Sequence, residues 1–245
     1  MLREELLKSI FPIIQLDEKN KRYDIAGSAV LVEYNKQKFL LTAGHVLQKN
    51  GIKYPLYLFL EKETIKLNGP AFVQENIDLS IFDLRTDKKL NESLKYLIPL
   101  KIQQNSANTT NNINYLVYGF PHRKGYFNKV TSIFKIKPII YLTKESEINV
   151  YSTLSVDNKN FRIVNYNQKK SKDEEGNKTT VCIPQGASGG GLIKVYSNNK
   201  QELVSFELDG ILIEWRNKKY IVATRTCEII KTIEESINFL KPTKV

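Results

Sequence analysis

The sequence predicts an all-β chain, either a sandwich or a pair of barrels. Three observations point there: short runs of β-branched and aromatic residues recur along most of its length, turn residues separate them, and helical periodicity is confined to the two ends. Strands alternating with helices, as in a parallel βαβ sheet, are not the pattern. The chain has 245 residues, 41% of them hydrophobic. A chain of that size buries roughly 70–75% of the surface its unfolded form exposes, so its core needs no staples. β chains of this length often form one domain, and a single domain over 1–245 built from two halves is expected.

The elements follow in order. Leu2, Leu6, Leu7 and Ile10 recur at helical spacing and Pro12 stops the pattern, which predicts a short N-terminal helix. Ala26–Leu41 reads as two strands joined through the polar turn Asn35–Lys38, so His45 falls just past a strand, after the small residues Ala43 and Gly44. Further strands are predicted at Tyr54–Leu60, Glu63–Leu67, Leu79–Leu84, Ile113–Tyr118, Phe127–Ile136 and Ile139–Leu142. The remainder are Phe161–Tyr166, Gly191–Tyr196, Leu203–Glu214 and Tyr220–Ala223. The polar stretch Lys101–Asn112 reads as a linker, dividing an N-terminal half over 20–105 from a C-terminal half over 112–225. Asn167–Lys178 is too polar to supply a buried face and is expected to be a mobile loop upstream of Ser188. At the C-terminal end, Ile229, Ile230, Ile233, Ile237 and Leu240 at three- and four-residue steps predict an amphipathic helix over 226–240, capped near Thr226 and stopped before Pro242.

Composition narrows the function classes. The net charge is +11, but the lysines are scattered rather than gathered into a stripe. The local basic candidates are His122-Arg123-Lys124 and Arg216-Asn217-Lys218-Lys219, and no specific nucleic-acid binding is expected from them. Lysines on a solvated surface explain the charge, and they suit an acidic protein partner too. Cys182 and Cys227 are too few for a disulfide framework, although the count leaves one bridge between them open. Acidic residues interrupt the N-terminal apolar positions, so no signal peptide is expected, and no segment reaches the length of a membrane span. An enzyme in the cytoplasm fits this pattern. Two distant histidines and two cysteines offer no metal-ligand spacing, and no phosphate-cradling loop leads into a helix, so neither metal nor cofactor is expected.

Three short motifs carry the chemistry. Thr42-Ala43-Gly44-His45, Asp78-Leu79-Ser80 and Gly186-Ala187-Ser188-Gly189-Gly190 supply, in that order, a base, a carboxylate and a hydroxyl. A serine hydroxyl is a poor nucleophile at its own pKa; it needs an imidazole within hydrogen-bond reach and a third group to fix that imidazole's tautomer. Only His45 and His122 are available, and His122 lies in a basic turn expected to face water. The carboxylate comes from Asp78 or Asp83. Asp83 alternates with Phe82 and Leu84 in a way that points it to solvent, so Asp78 is favoured, its alternative role being to start a turn. Glycines around Ser188 allow successive N–H groups to converge on one point, and Gly186 and Ser188 are the expected donors. A glycine-rich turn opening a strand is also a common structural feature.

Ala26-Gly27-Ser28-Ala29-Val30 with Phe39–His45, Asn76–Ser80, and Pro184–Gly191 resemble the three signature blocks of the trypsin-like (chymotrypsin-fold) serine peptidases, over roughly residues 25 to 225. That resemblance implies a double β-barrel with the active site between barrels. It also implies Ser188 as nucleophile, His45 as general base and then acid, Asp78 as orienter, and the Gly186 and Ser188 amides as oxyanion hole. Extracellular members are often activated when a freed N-terminus pairs with an aspartate just before the nucleophile. Ala187 stands at that position, so activation by that route is excluded, and the closer likeness is to bacterial peptidases assembled by loop ordering. The Asn167–Lys178 loop, or an activating protein partner, is expected to govern competence.

The resemblance places Cys182 at the base of the specificity pocket and the block containing Ile213, Glu214 and Trp215 along the substrate. With no acidic group at Cys182, an apolar residue before the scissile bond is expected, unless the Glu214 carboxylate turns inward and selects basic residues. Cys182, set between Val181 and Ile183, reads as a small buried hydrophobe. The expected function is endoproteolysis of protein substrates, by analogy as a regulated effector of the kind found in bacterial defence. The alternatives are a catalytically silent relative that binds a peptide or partner in the same cleft, and a basic nucleic-acid module.

Overall fold

Two sheets, joined by apolar clusters that draw on both, carry almost all of the regular structure. The computed structural model describes residues 6, 8–17, 22–50, 55–60, 63–102, 112–122, 125–128, 133–168, 171–172, 178–179, 182–200 and 202–239. The first sheet contains β1 (Ile10–Asp17), β2 (Arg22–Tyr34), β3 (Gln37–Ala43), β4 (Leu56–Leu60), β5 (Glu63–Lys66), β6 (Ala71–Gln74), β7 (Leu79–Asp83) and β8 (Leu100–Lys101). Its order is β5-β4-β1-β2-β3-β7-β6, with β8 lying parallel beside β2 and every other pair antiparallel.

The second sheet begins with β9 (Asn112–Gly119), after which the hairpin of β10 (Gly125–Asn128) and β11 (Ile133–Ile136) stands apart. It continues with β12 (Ile139–Thr143) and β13 (Phe161–Asn165); β14 (Ser171–Lys172) and β15 (Lys178–Thr179) then pair only with each other. β16 (Gly191–Ser197), β17 (Leu203–Arg216) and β18 (Tyr220–Arg225) complete the order β12-β9-β16-β17-β18-β13. Residues after β12 lie against β13, through a Glu145–Val164 bridge and the bonds Ser146 N–H to Ile163 O (2.9 Å) and Asn165 N–H to Lys144 O (3.1 Å). The two edges of this sheet are thereby drawn together.

Local chemistry accounts for the strands that frame the site. β2 and β3 meet in a two-residue turn at Asn35 and Lys36, both at positive φ, the geometry that matches strand twist in a hairpin. Phe39, Leu40, Leu41, Thr42 and Ala43 are all buried, because alternate side chains of β2 and β3 feed two different clusters. Val30, Val32, Phe39 and Leu41 face a cluster that takes in Leu208 and Ile211 of β17 and Ile229, Ile230 and Ile233 of the C-terminal helix. Ala29, Leu31, Leu40 and Ala43 face the other, with Leu56, Leu58 and Phe82. The first cluster draws on both sheets, and burying it holds them together.

Several expectations change. The N-terminal helix predicted over Leu2–Ile10 lies largely outside the described residues. Leu6 is helical and buried, but Ile10 already opens β1, so the first sheet begins ahead of residue 20. A near-continuous apolar run from Ile10 to Leu16 fits a strand with both faces covered, which periodicity alone does not distinguish from a helix. The strand predicted over Phe127–Ile136 is instead the β10–β11 hairpin, whose two arms satisfy each other's backbone groups. β6 and the helices Lys88–Leu94 and Ile148–Thr153 were not predicted; the first of these helices starts at Asp87, whose carboxylate accepts from Leu90 N–H (2.9 Å). The linker core, 103–111, lies outside the described residues. Of the Asn167–Lys178 loop, Ser171 and Lys172 pair with Thr179 and Lys178, while 169–170 and 173–177 lie outside the described residues. The C-terminal helix runs over Thr226–Phe239, with Leu240 outside the described residues, and the Thr226 hydroxyl donates to Leu208 O (2.7 Å), tying the helix to β17. Among the described residues no helix is long and apolar enough to cross a membrane.

Candidate active site

His45 lies at the start of the short helix Gly44–Asn50, directly after β3, and Asp78 immediately before β7, the strand paired with β3. That pairing puts the two motifs side by side. Gly44 N–H donates to Asp78 O (2.9 Å), and the Asp78 carboxylate is bound at two points: Oδ1 accepts from His45 N–H (2.7 Å) and Oδ2 meets His45 Nδ1 (2.6 Å). An ionised carboxylate only accepts, so Nδ1 carries the proton and Nε2 keeps its lone pair free. Asp78 sits at φ 51° and ψ 48°, closing the 3₁₀ turn Glu75–Ile77. Aspartate tolerates this left-handed conformation better than most residues. Glycine at position 44 leaves room for the carboxylate: a Cβ there would lie 3.0 Å from Asp78 Oδ1. From the second sheet, the Thr224 hydroxyl donates to Ile77 O and steadies the same turn. Asp83 does not face solvent as expected. It is buried and gripped by the Arg85 guanidinium, so it is taken, and Asp78 alone serves the imidazole.

Ser188 stands in the turn 184–190, which is fixed from both sheets. Ala187 N–H donates to Pro184 O (2.8 Å), Gly190 N–H to Ala187 O (3.0 Å) and Gly189 N–H to Leu212 O (2.7 Å), and Gly190 O accepts from Leu212 N–H (2.8 Å). Gly186 and Gly189 have positive φ, 92° and 85°, which their lack of Cβ permits. Gly186 N–H and Ser188 N–H are left without an intramolecular acceptor among the described residues. These are the two amides named as donors from sequence. The Ser188 hydroxyl and the His45 ring line the same open cleft, of ≈ 770 Å³. The hydroxyl donates to Ile213 O (3.3 Å) and makes no hydrogen bond to His45.

Sequence reasoning missed the part played by Ser28. This buried β2 residue donates its N–H to Ser188 O (2.7 Å), its O accepts from the Thr42 hydroxyl (2.7 Å), and its Oγ accepts from Phe120 N–H (2.9 Å). It therefore links the strand before His45, the end of β9 and the Ser188 turn. Ser28→Ala leaves the Phe120 N–H buried without its acceptor, and is expected to destabilise the protein by about 1–3 kcal/mol in denaturant unfolding.

The cleft walls are mixed, with His45, Glu75, Asp78, His122, Gln185 and Glu214 on the polar part. Leu212, Ile213, Trp215 and Ile221 form its apolar part; Cys182, expected at the base of the specificity pocket, is not among the lining residues and is half-buried rather than buried, packing against the cluster that holds Ala187 and Tyr166. Cys182 O accepts from the Tyr166 hydroxyl (2.5 Å), whose pKa burial raises. Both cysteines are free thiols, so the bridge left open by their count is not formed. Glu214 is exposed and paired with Arg216 (2.6 Å), so its carboxylate is not directed inward as a lone acid. His122 is exposed, as expected, and it also lines the cleft beside Gly186. Desolvation lowers its pKa, against an opposing pull from Asp24. No group of three or more His, Cys, Asp or Glu that could hold a metal is found among the described residues.

No protein-family model matches the chain, and a search of the curated proteins finds no match.

Proposed function

We propose that this chain is a serine endopeptidase with a double β-barrel of the chymotrypsin type, its halves corresponding to the two sheets. The observation that carries the proposal is the two-point bond between His45 and Asp78, formed on the same cleft as Ser188 and the two unclaimed amides. A carboxylate that holds both the backbone and Nδ1 of one histidine fixes tautomer and ring orientation together.

On this chemistry a peptide bound in the cleft presents its carbonyl to Ser188. The hydroxyl turns from Ile213 O to His45, Nε2 takes its proton, and Oγ attacks. The tetrahedral oxyanion is held by the Gly186 and Ser188 N–H groups. Collapse breaks the C–N bond, and His45 returns the proton to the departing amine. Water, deprotonated by the same ring, then attacks the acyl-enzyme and releases Ser188. The apolar wall formed by Leu212, Ile213, Trp215 and Ile221, with Glu214 already paired with Arg216, favours an apolar residue before the scissile bond. A cytoplasmic, regulated effector acting on proteins, with a protein partner governing competence, is the setting we propose.

The second reading, a silent domain that binds peptides, draws on one observation: the Ser188 hydroxyl rests on Ile213 O rather than on the ring. A peptide-library digest separates them. New N-termini that follow apolar residues are expected with the wild type and not with Ser188→Ala; binding without any new terminus would favour the silent domain.

A further inference from the structure

In the turn that carries Ser188, the peptide unit preceding Gly186 is anchored from outside both the turn and the strands β2 and β17. Pro184 O, Ala187 O, Ser188 O and Gly190 O are held within the turn or by β2 and β17. The Gln185 carbonyl is held from outside, accepting from His122 N–H (3.0 Å). Gln185 O and Gly186 N–H belong to the same peptide plane and, in a trans peptide, point in opposite directions. Whatever anchors that oxygen therefore aims that N–H. Gly186 itself, at φ 92° and without a Cβ, offers little resistance to rotation of this plane.

His122 is suited to be the anchor. The residues before it are fixed: Phe120 N–H donates to Ser28 Oγ (2.9 Å), and Pro121 is buried with its φ locked by its ring. Its imidazole covers the same peptide, since a Cβ built on Gly186 would lie 2.7 Å from His122 Cδ2 and 2.7 Å from its N. Backbone and ring thus close on Gly186 together.

We infer that His122 is a positioning residue for the oxyanion hole, holding the Gln185–Gly186 peptide so that Gly186 N–H faces the reacting carbonyl; this rests on the proposed peptidase chemistry. Two variants separate its parts. Replacing His122 by its α-hydroxy-acid analogue, an amide-to-ester change, removes only the N–H, whereas His122→Ala keeps the N–H and removes the ring. For each, kcat and KM are measured on a peptide p-nitroanilide, together with the inhibition constant of the matching peptide aldehyde, whose adduct places an oxyanion in the hole.

Loss of one oxyanion donor costs about 10²–10³-fold in kcat. The ester variant is expected to lose that much in kcat and to lose aldehyde affinity in parallel, with KM unchanged; His122→Ala loses less of the same two quantities. An ester variant with wild-type kcat and aldehyde affinity, or one that loses only KM, overturns the inference. If the wild type neither cleaves the p-nitroanilide nor takes up a fluorophosphonate at Ser188, the peptidase chemistry itself has failed and this role falls with it.

Discussion

Replacing Ser188 or His45 by alanine is expected to lower kcat for peptide hydrolysis by about 10⁶-fold, and the double variant by no more than either alone. The two side chains act as a unit, since a hydroxyl without its base and a base without its hydroxyl are equally idle. Folding should survive both changes. The Ser188 hydroxyl makes one bond of 3.3 Å, and the His45 side chain is only partly buried. Asp78→Asn is a subtler version of the same loss. An amide in place of the carboxylate presents an N–H to Nδ1, driving the ring proton to Nε2, where it blocks the acceptance of the serine proton; a fall of about 10⁴-fold is expected. Single-turnover kinetics on a peptide ester, with thermal unfolding of each variant as control, measure these effects.

The largest loss of stability is expected from Gly189→Ala. A Cβ there would lie 2.0 Å from Ser28 O and 2.3 Å from Thr42 Oγ1, and the backbone stands at φ 85°. Neither neighbour is free to move, because Ser28 O and the Thr42 hydroxyl are bonded to one another inside the contact between the sheets. Overlap with backbone and positive φ act together, and roughly 4–5 kcal/mol or more of stability should go, an exceptional value for one methyl group. Chemical denaturation measures it. By this reasoning the glycine pair after Ser188 serves the packing of one sheet on the other as much as the chemistry.

What could be read from the chain differs from region to region for physical reasons. The hairpin ending at His45 was legible because the polar turn Asn35–Lys38 separates two apolar, β-rich runs, and the C-terminal helix because its isoleucines recur near a period of 3.6. β1 was not, since a strand covered on both faces has no alternation to detect. Asp78 could be chosen over Asp83 by position in its strand, but the reason Asp83 is unavailable, its fork to Arg85, is a side-chain pairing that spacing does not report. Ser28 carried no signal of its own: its three bonds reach residues 14, 92 and 160 positions away. The same holds for His122, whose basic neighbours suggested a solvated turn while its backbone N–H found Gln185 across the fold.

The central claim is that Ser188 is made nucleophilic by His45. Intact-mass analysis after treatment with a fluorophosphonate tests it most directly, in the wild type and in His45→Ala. One adduct per chain, mapped to Ser188 in the wild type and lost in the variant, is the expected result. An unlabelled wild type, or labelling of Ser188 that persists without His45, would contradict it.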